Sequence, residues 1–279
     1  MADYLKNKIV VITGAGSGFG KLTAEKLIKA GSKVIGADIR EERLKKVSEN
    51  LKNNNFKYKK TDVTKKQDFK NLIQYAVDQF SRVDVLINDA GIMPLALLSD
   101  HKKAMGAWEK CIDIIFKGTL YGVTSVYDQM IKQGKGQIIN LSSIYGDFPV
   151  YGASPYGAIK KAVAFMTDAL QTETRGKIKF TTITPTGAPT HLNDSVINPK
   201  ALLGALGVND PKRYNKINGD IRAGKTSKDE KPYADPNNIK CMVLNPKYIA
   251  DNIVYAINQP DGVNISNITV RVSNDYKAV

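Results

Sequence analysis

Tyr156 and Lys160 stand four residues apart, with Ser143 thirteen residues upstream of the tyrosine. On a helix that spacing places phenol and ammonium on one face, about one turn from each other. A tyrosine at its ordinary pKa of about 10 is a poor base at neutral pH, and a fixed positive charge stabilises the phenolate. Bringing the value down by about three units takes roughly 4 kcal/mol, which a partly desolvated lysine plus a cationic cofactor ring could supply. A tyrosine tuned in this way takes a proton from an alcohol or returns one to a ketone. Ser143, at the exit of an apolar strand, could hold the substrate oxygen and stabilise charge developing there. The spacing by itself proves little. Tyr4 and Lys8 share it, and Tyr151 begins the same pattern but meets Pro155 where the lysine belongs. A half-buried tyrosine beside a solvated lysine reads the same way, so the surrounding elements have to decide.

Those elements alternate. Residues 8–12, KIVVI, form a buried strand and 21–30 a helix, joined by TGAGSGFG from Thr13 to Gly20. Its glycines, Gly14, Gly18 and Gly20, let the backbone approach a diphosphate, and the free N–H groups of the helix start favour negative charge. The next strand, residues 33–38, closes on Asp38, 24 residues after Gly14. A carboxylate there can accept both hydroxyls of an adenosine ribose and repels a 2′-phosphate, so it selects NAD over NADP, with Arg40 as a weak counter-signal. Asp62 and Val63, at the end of FKYKKTDV, are placed to flank an adenine. An amphipathic helix over 65–80 precedes the apolar strand 83–91. Helix 104–132, strand 137–142, helix 155–174 and strand 178–184 continue the alternation, and helix 246–258 and strand 263–272 end it. The pattern predicts an α/β fold, a doubly wound parallel sheet with its ligand crevice at the carboxyl ends of the strands, in one domain spanning 1–279. Residues 186–245 break the rhythm with Gly, Pro, Asn and Lys around one apolar segment, Ala201–Leu206. Within them, 192–245 is expected to cover the substrate as a lid.

Composition narrows the class. A chain of 279 residues can bury about three quarters of its unfolded surface without staples. Cys111 and Cys241 are far apart and suit a reducing compartment, and two histidines argue against a zinc site. No apolar run reaches a membrane span and no secretory h-region precedes the first strand, so a cytoplasmic protein is expected, without a membrane partner. The net charge of +14 is spread over short lysine pairs rather than gathered with aromatics, which speaks for a solvated surface and against a nucleic-acid partner.

Taken together, these residues resemble the short-chain dehydrogenase/reductase family in its single-domain, NAD-dependent, Rossmann-type form. The resemblance covers nearly the whole chain except 192–245. It implies a catalytic set of Ser143, Tyr156 and Lys160 and a cofactor, NAD, with no metal. The implied cofactor residues are Thr13, Gly14, Ser17, Gly18, Phe19, Gly20, Asp38, Ile39, Asp62, Val63, Asn88, Ala90 and Gly91. Tyr156 and Lys160 belong to that set as well, the lysine gripping the nicotinamide ribose, and Pro185 with Thr190 matches the segment that holds the carboxamide. It also implies a homodimer or homotetramer through helices 104–132 and 155–174, where Trp108, Val126, Phe165 and Met166 could serve interface or core. The expected reaction interconverts a secondary alcohol and a ketone. The substrate pocket is expected to draw on Met93, Ile144, Tyr145, Phe148, Tyr151, His191, Leu192 and Leu203, whose character suits a bulky apolar molecule such as a hydroxysteroid or an aryl or alkyl ketone.

The chain departs from the family at three positions: Asp89 in place of the second Asn of N-N-A-G, Ile115 in place of the Asn of the proton relay, and Thr186 in place of the Gly after Pro185. An isoleucine cannot hydrogen-bond water, so slower proton exchange is expected, and Ile115→Asn is expected to raise turnover. The same departures motivate a rival reading, a nucleotide-binding protein of this fold with reduced or lost catalysis.

Overall fold

The computed structural model describes residues 3–201 and 231–274, with Lys216, Gly219, Asp220 and Lys225 between them. Seven strands form one sheet: β1 (Ile9–Thr13), β2 (Lys33–Asp38), β3 (Phe56–Lys60), β4 (Val85–Asn88), β5 (Gly136–Leu141), β6 (Ile178–Pro185) and β7 (Asn267–Val270). Their order is β3-β2-β1-β4-β5-β6-β7, and every pairing is parallel. Parallel strands are covered on both faces, which is why β1 and β4 are buried along their whole length and apolar up to their last residues, Thr13 and Asn88.

One face carries α1 (Gly18–Lys29), α2 (Glu41–Leu51) and a late helix (Pro246–Ile257), whose Leu27, Leu44, Ile249 and Ile253 pack on Val10, Ile12 and Ile87. The other carries α3 (Lys66–Phe80) and a long rod, with Phe69, Leu72, Val123 and Val126 on Val11, Ile35 and Ile138. The rod is the helix predicted over 104–132, but it begins at His101 and is not uniform. Residues His101–Cys111 (α4) and Gly118–Gln133 (α5) are α-helical, and Ile112–Lys117 between them is a π turn. Extra turns of this kind recur beside functional sites because they displace the backbone without ending the helix. A four-residue helix, α6 (Ile144–Asp147), follows β5, and α7 (Ser154–Glu173) carries the tyrosine and lysine. The described part of the predicted excursion holds a 3₁₀ turn, His191–Ser195, and a short helix, α8 (Lys231–Ala234), before the late helix, α9. Most of the remainder of 192–245, including Leu203, lies outside the described residues.

The register fixes the site. Thr13 pairs with Ala37 on one side and Asn88 on the other, and Asn88 with Asn140, so the strands end at a common edge. The sequence order reverses at β1, whose neighbours are β2 and β4. Crevices in such sheets open where the order reverses. Among the described residues, no helix is long and apolar enough to cross a membrane, and no group of three or more His, Cys, Asp or Glu could hold a metal ion.

Candidate active site

A cavity of about 430 Å³ runs along this edge, from Asp38 and Asp62 at one end to Tyr156 and Lys160 at the other. Gly14, Ser17, Gly18 and Phe19 form its floor between the two, facing Ala90 and Gly91 from the turn after β4. Gly14 has φ of +75°, and a Cβ built on it would stand 3.1 Å from the Ala90 nitrogen, so the two turns meet there only because a side chain is missing. Gly20 is more constrained still. A Cβ there would lie 2.6 Å from the Gly14 carbonyl oxygen, which is backbone and cannot swing aside. We expect Gly20→Ala to destabilise the protein by about 1–3 kcal/mol and to weaken dinucleotide binding at least tenfold. Urea unfolding and a nucleotide titration check both.

Of the expected cofactor residues, Ile39, Val63, Pro185 and Thr190 also line the cavity. Thr13, Gly20 and Asn88 do not; they hold its walls. The Thr13 hydroxyl accepts the Asp89 and Ala90 N–H groups at 3.2 and 3.3 Å. Asn88 is turned into the sheet, where its Nδ2 donates to Asn140 Oδ1 at 2.9 Å. At the end of β2, Asp38 Oδ2 accepts the Gly16 N–H at 3.1 Å and Oδ1 accepts the Arg40 N–H at 2.9 Å. Sequence reading missed Arg43, which donates to Ser17 Oγ at 3.3 Å and lines the same end. Its reach depends on how α2 packs, which no local pattern encodes.

The three catalytic candidates converge. Ser143 caps α6 by accepting the Tyr145 N–H at 3.2 Å, and its hydroxyl and the Tyr156 hydroxyl share a hydrogen bond. Tyr156 is only 3 % exposed, with Tyr145 packed edge-on at 6.1 Å between centroids. Lys160 Nζ donates to the Leu141 carbonyl at 2.6 Å and lies 5.8 Å from the Tyr156 ring centroid. Tyr156 and Lys160 face the cavity, while Ser143 sits just behind its lining. The decoys separate cleanly: Tyr4 and Tyr151 lie on the surface.

The electrostatics differ from the expectation of a phenol acidified by its lysine. Burial pushes the Tyr156 phenol above its ordinary value, against the Ser143 hydrogen bond, and the nearby Cys111 and Asp89 push it the same way. The Lys160 ammonium is spent on the Leu141 carbonyl, and burial brings it down to about 8 although Asp89 supports its charge. Cys111, buried, is pushed up to about 12 and is an inert thiol.

The expected pocket residues divide. His191 and Leu192 line the cavity, whereas Met93, Ile144 and Tyr145 are buried core beside Tyr156. Phe148 packs at the margin of that core, and Tyr151 is 64 % exposed. Ile92, Ile114 and Ile115 line the cavity instead. The first residues of 192–245 are tied to the loop after β4: Ser195 Oγ accepts the Met93 N–H at 2.7 Å, and the Asn198 N–H donates to the Leu95 carbonyl at 3.0 Å.

Residues 8–201 match the sequence profile of the short chain dehydrogenases. The chain belongs to that family. Uncharacterized oxidoreductases of Staphylococcus saprophyticus and Listeria monocytogenes are 33 % and 34 % identical to it, the first covering 98 % of both chains, the second 95 % of this chain and 96 % of its own. Among solved structures, a serine dehydrogenase in closed form with NADP+ superposes with a TM-score of 0.77 at 26 % identity, covering 97 % of this chain and 98 % of its own. A short chain dehydrogenase/reductase of Burkholderia phymatum in complex with NAD shares the fold, with a TM-score of 0.74 at 23 % identity over 96 % and 90 %. This short-chain dehydrogenase is thus an oxidoreductase with the parallel, Rossmann-like sheet of its family.

Proposed function

We propose that this oxidoreductase interconverts a secondary alcohol and a ketone with NAD(H), using Tyr156, Ser143 and Lys160. The observation that carries the reading is the position of the Tyr156 hydroxyl: it bonds Ser143 at one end of a cleft whose other end presents the Asp38 carboxylate. The glycine turn fits a dinucleotide, since Gly14 and Gly18 line the cleft at φ of +75° and +55° and leave the backbone there bare of side chains, where a diphosphate would approach. In this reading the backbone from Gly14 to Phe19 holds the diphosphate, Asp38 the adenosine ribose, Asp62 and Val63 the adenine, Lys160 the second ribose, and Pro185 with Thr190 the carboxamide. The bound nicotinamide supplies a hydride acceptor or donor.

Tyr156 takes the hydroxyl proton of the alcohol, and Ser143 gives up its bond to the phenol to hold the substrate oxygen. For this, Lys160 exchanges the Leu141 carbonyl for the ribose, bringing its charge toward the phenol. Ile92, Ile114, Ile115 and Leu192 support an apolar substrate body. The protein acts as one domain in the cytoplasm, with 192–245 as its cover. An oligomer uses exposed Met105, Ile112 and Phe165 on the rod and α7, while Trp108 and Val126 serve the core. The test is NADH and NADPH oxidation across a panel of aryl, alkyl and steroid ketones; absence of turnover on all of them, with NADH still bound, would sink the catalytic reading. A binding protein without chemistry is then the alternative, favoured by Ile115 and Asp89 and by how tightly Ser143 and Tyr156 are enclosed.

The π turn Ile112–Lys117 forms around a buried Ile115, whose side chain stands 3.6 Å from where a Cβ on Gly91 would lie. Ile115→Asn should therefore raise turnover by restoring a polar group to the relay, while lowering stability by about 1–3 kcal/mol through burial of an amide. Stopped-flow and thermal unfolding on the same variant read both signs, and unchanged turnover would show that the relay runs otherwise.

A further inference from the structure

We infer that Asp89 couples dinucleotide binding to the uptake of a proton. The inference rests on reading the cleft as a dinucleotide site and adds a role for the residue that departs from the family's amide. Asp89 Oδ2 accepts the Gly20 N–H at 2.7 Å, its own N–H is held by the Thr13 hydroxyl at 3.2 Å, and its side chain lines the cleft with Gly14, Ser17 and Gly18. The carboxyl therefore competes for the helix-start donors that a diphosphate would use. A carboxylate and a diphosphate cannot both keep full negative charge at the head of one helix without cost, and of the two only the carboxyl can readily take a proton.

The groups around it define the direction. Burial pushes the Asp89 carboxyl up to about 7, while Lys160 from α7 and the Gly20 N–H pull it down and Asp38 from β2 pushes it up. Near neutral pH the free protein thus holds Asp89 partly ionised. Arrival of further negative charge raises the value, so the complex carries more proton than its separated parts. Affinity then falls as pH rises through the free value of about 7 and levels off above the raised value in the complex. A rise of half a unit to one unit corresponds to an affinity loss of about three- to tenfold across that window.

Lys160, titrating at about 8, would weaken binding in the same direction when it loses its proton. A pH slope alone does not separate the two groups, but counting protons in variants does. Calorimetric titration with NADH at pH 7.5, in buffers of different ionisation heat, gives the number taken up. A carboxyl moving from about 7 to about 8 contributes about half a proton there. Asp89→Asn keeps an oxygen for the Gly20 N–H and should lose that share while binding NADH more tightly. Lys160→Met removes a charge that holds the Asp89 carboxyl down, so it should move the uptake to higher pH without abolishing it. The inference is overturned if the wild type takes up no proton, if Asp89→Asn takes up as much as the wild type, or if Lys160→Met takes up none at any pH from about 7 to about 9. Failure of NADH to bind at any pH would instead overturn the dinucleotide reading.

Discussion

Tyr156→Phe is expected to lower turnover by at least about a thousandfold and to leave NADH affinity within about twofold, since removing a general acid–base group costs about 10²–10⁴ and this one has no evident substitute. The variant is clean because the ring remains. Its edge-on contact with Tyr145 at 6.1 Å and its burial do not involve the hydroxyl, which serves the hydrogen bond with Ser143. Stability should therefore fall by only about 1 kcal/mol. Cys111, the other proton-bearing group nearby, is pushed up to about 12 and donates toward the Ile92 carbonyl at 3.6 Å, so it offers no alternative base.

The direction of the pH dependence follows from the same burial. Alcohol oxidation needs the phenolate, and the phenol lies above its ordinary value, so the wild-type oxidation rate should rise from neutral toward alkaline pH. Ketone reduction needs the protonated phenol and should stay level over that range. In Tyr156→Phe the alkaline rise should vanish. Activity within tenfold of wild type, or an unchanged profile, would remove the tyrosine from the chemistry and return it to the core, where most of its surface already lies.

How much of this was legible in the sequence depends on how local the cause is. The alternation of strands and helices is written in apolar runs, and the parallel sheet follows from it. The placement of Ser143 at a strand exit and of Tyr156 and Lys160 on one helix face was legible because strand ends and helical spacing are local properties. The turn Thr13–Gly20 was legible as a unit, yet which of its residues face the cleft was not: Thr13 and Gly20 are wall rather than lining, decided by contacts with Asp89 across 69 residues or more of chain. The same limit explains the pocket. Met93, Ile144 and Tyr145 are apolar near strand ends, and burying them beside Tyr156 or exposing them to a substrate requires the same composition. The lysine's reach for Leu141 was hidden for another reason, since a helix position gives the direction of a side chain but not which of two acceptors its tip prefers. The π turn left no trace in spacing, as Ile112–Lys117 continues the apolar rhythm of its neighbours.

Asp38→Ser is expected to move the ratio of NADH to NADPH specificity by about 10²–10³ toward NADPH. Solved structures of this fold were obtained with NADP+ and with NAD, so the fold alone does not choose between them, and in the proposed reading the choice falls on the side chains at the end of β2. Here the Asp38 carboxylate is oriented by two main-chain donors, Gly16 at 3.1 Å and Arg40 at 2.9 Å, which fix it where ribose hydroxyls would arrive. A 2′-phosphate in that position meets a held negative charge, and like charges juxtaposed in an interface cost several kcal/mol. Arg40 and Arg43 line the same end, so in the proposed reading the cations a phosphate needs are already present and the carboxylate is what opposes it. A serine removes the charge and is too short to replace both bonds, so NADH should lose about tenfold while NADPH gains the remainder. Steady-state kcat/KM for the two cofactors on one ketone measures the ratio. A wild type that already prefers NADPH would mean that the two arginines, rather than the carboxylate, govern this end of the cleft.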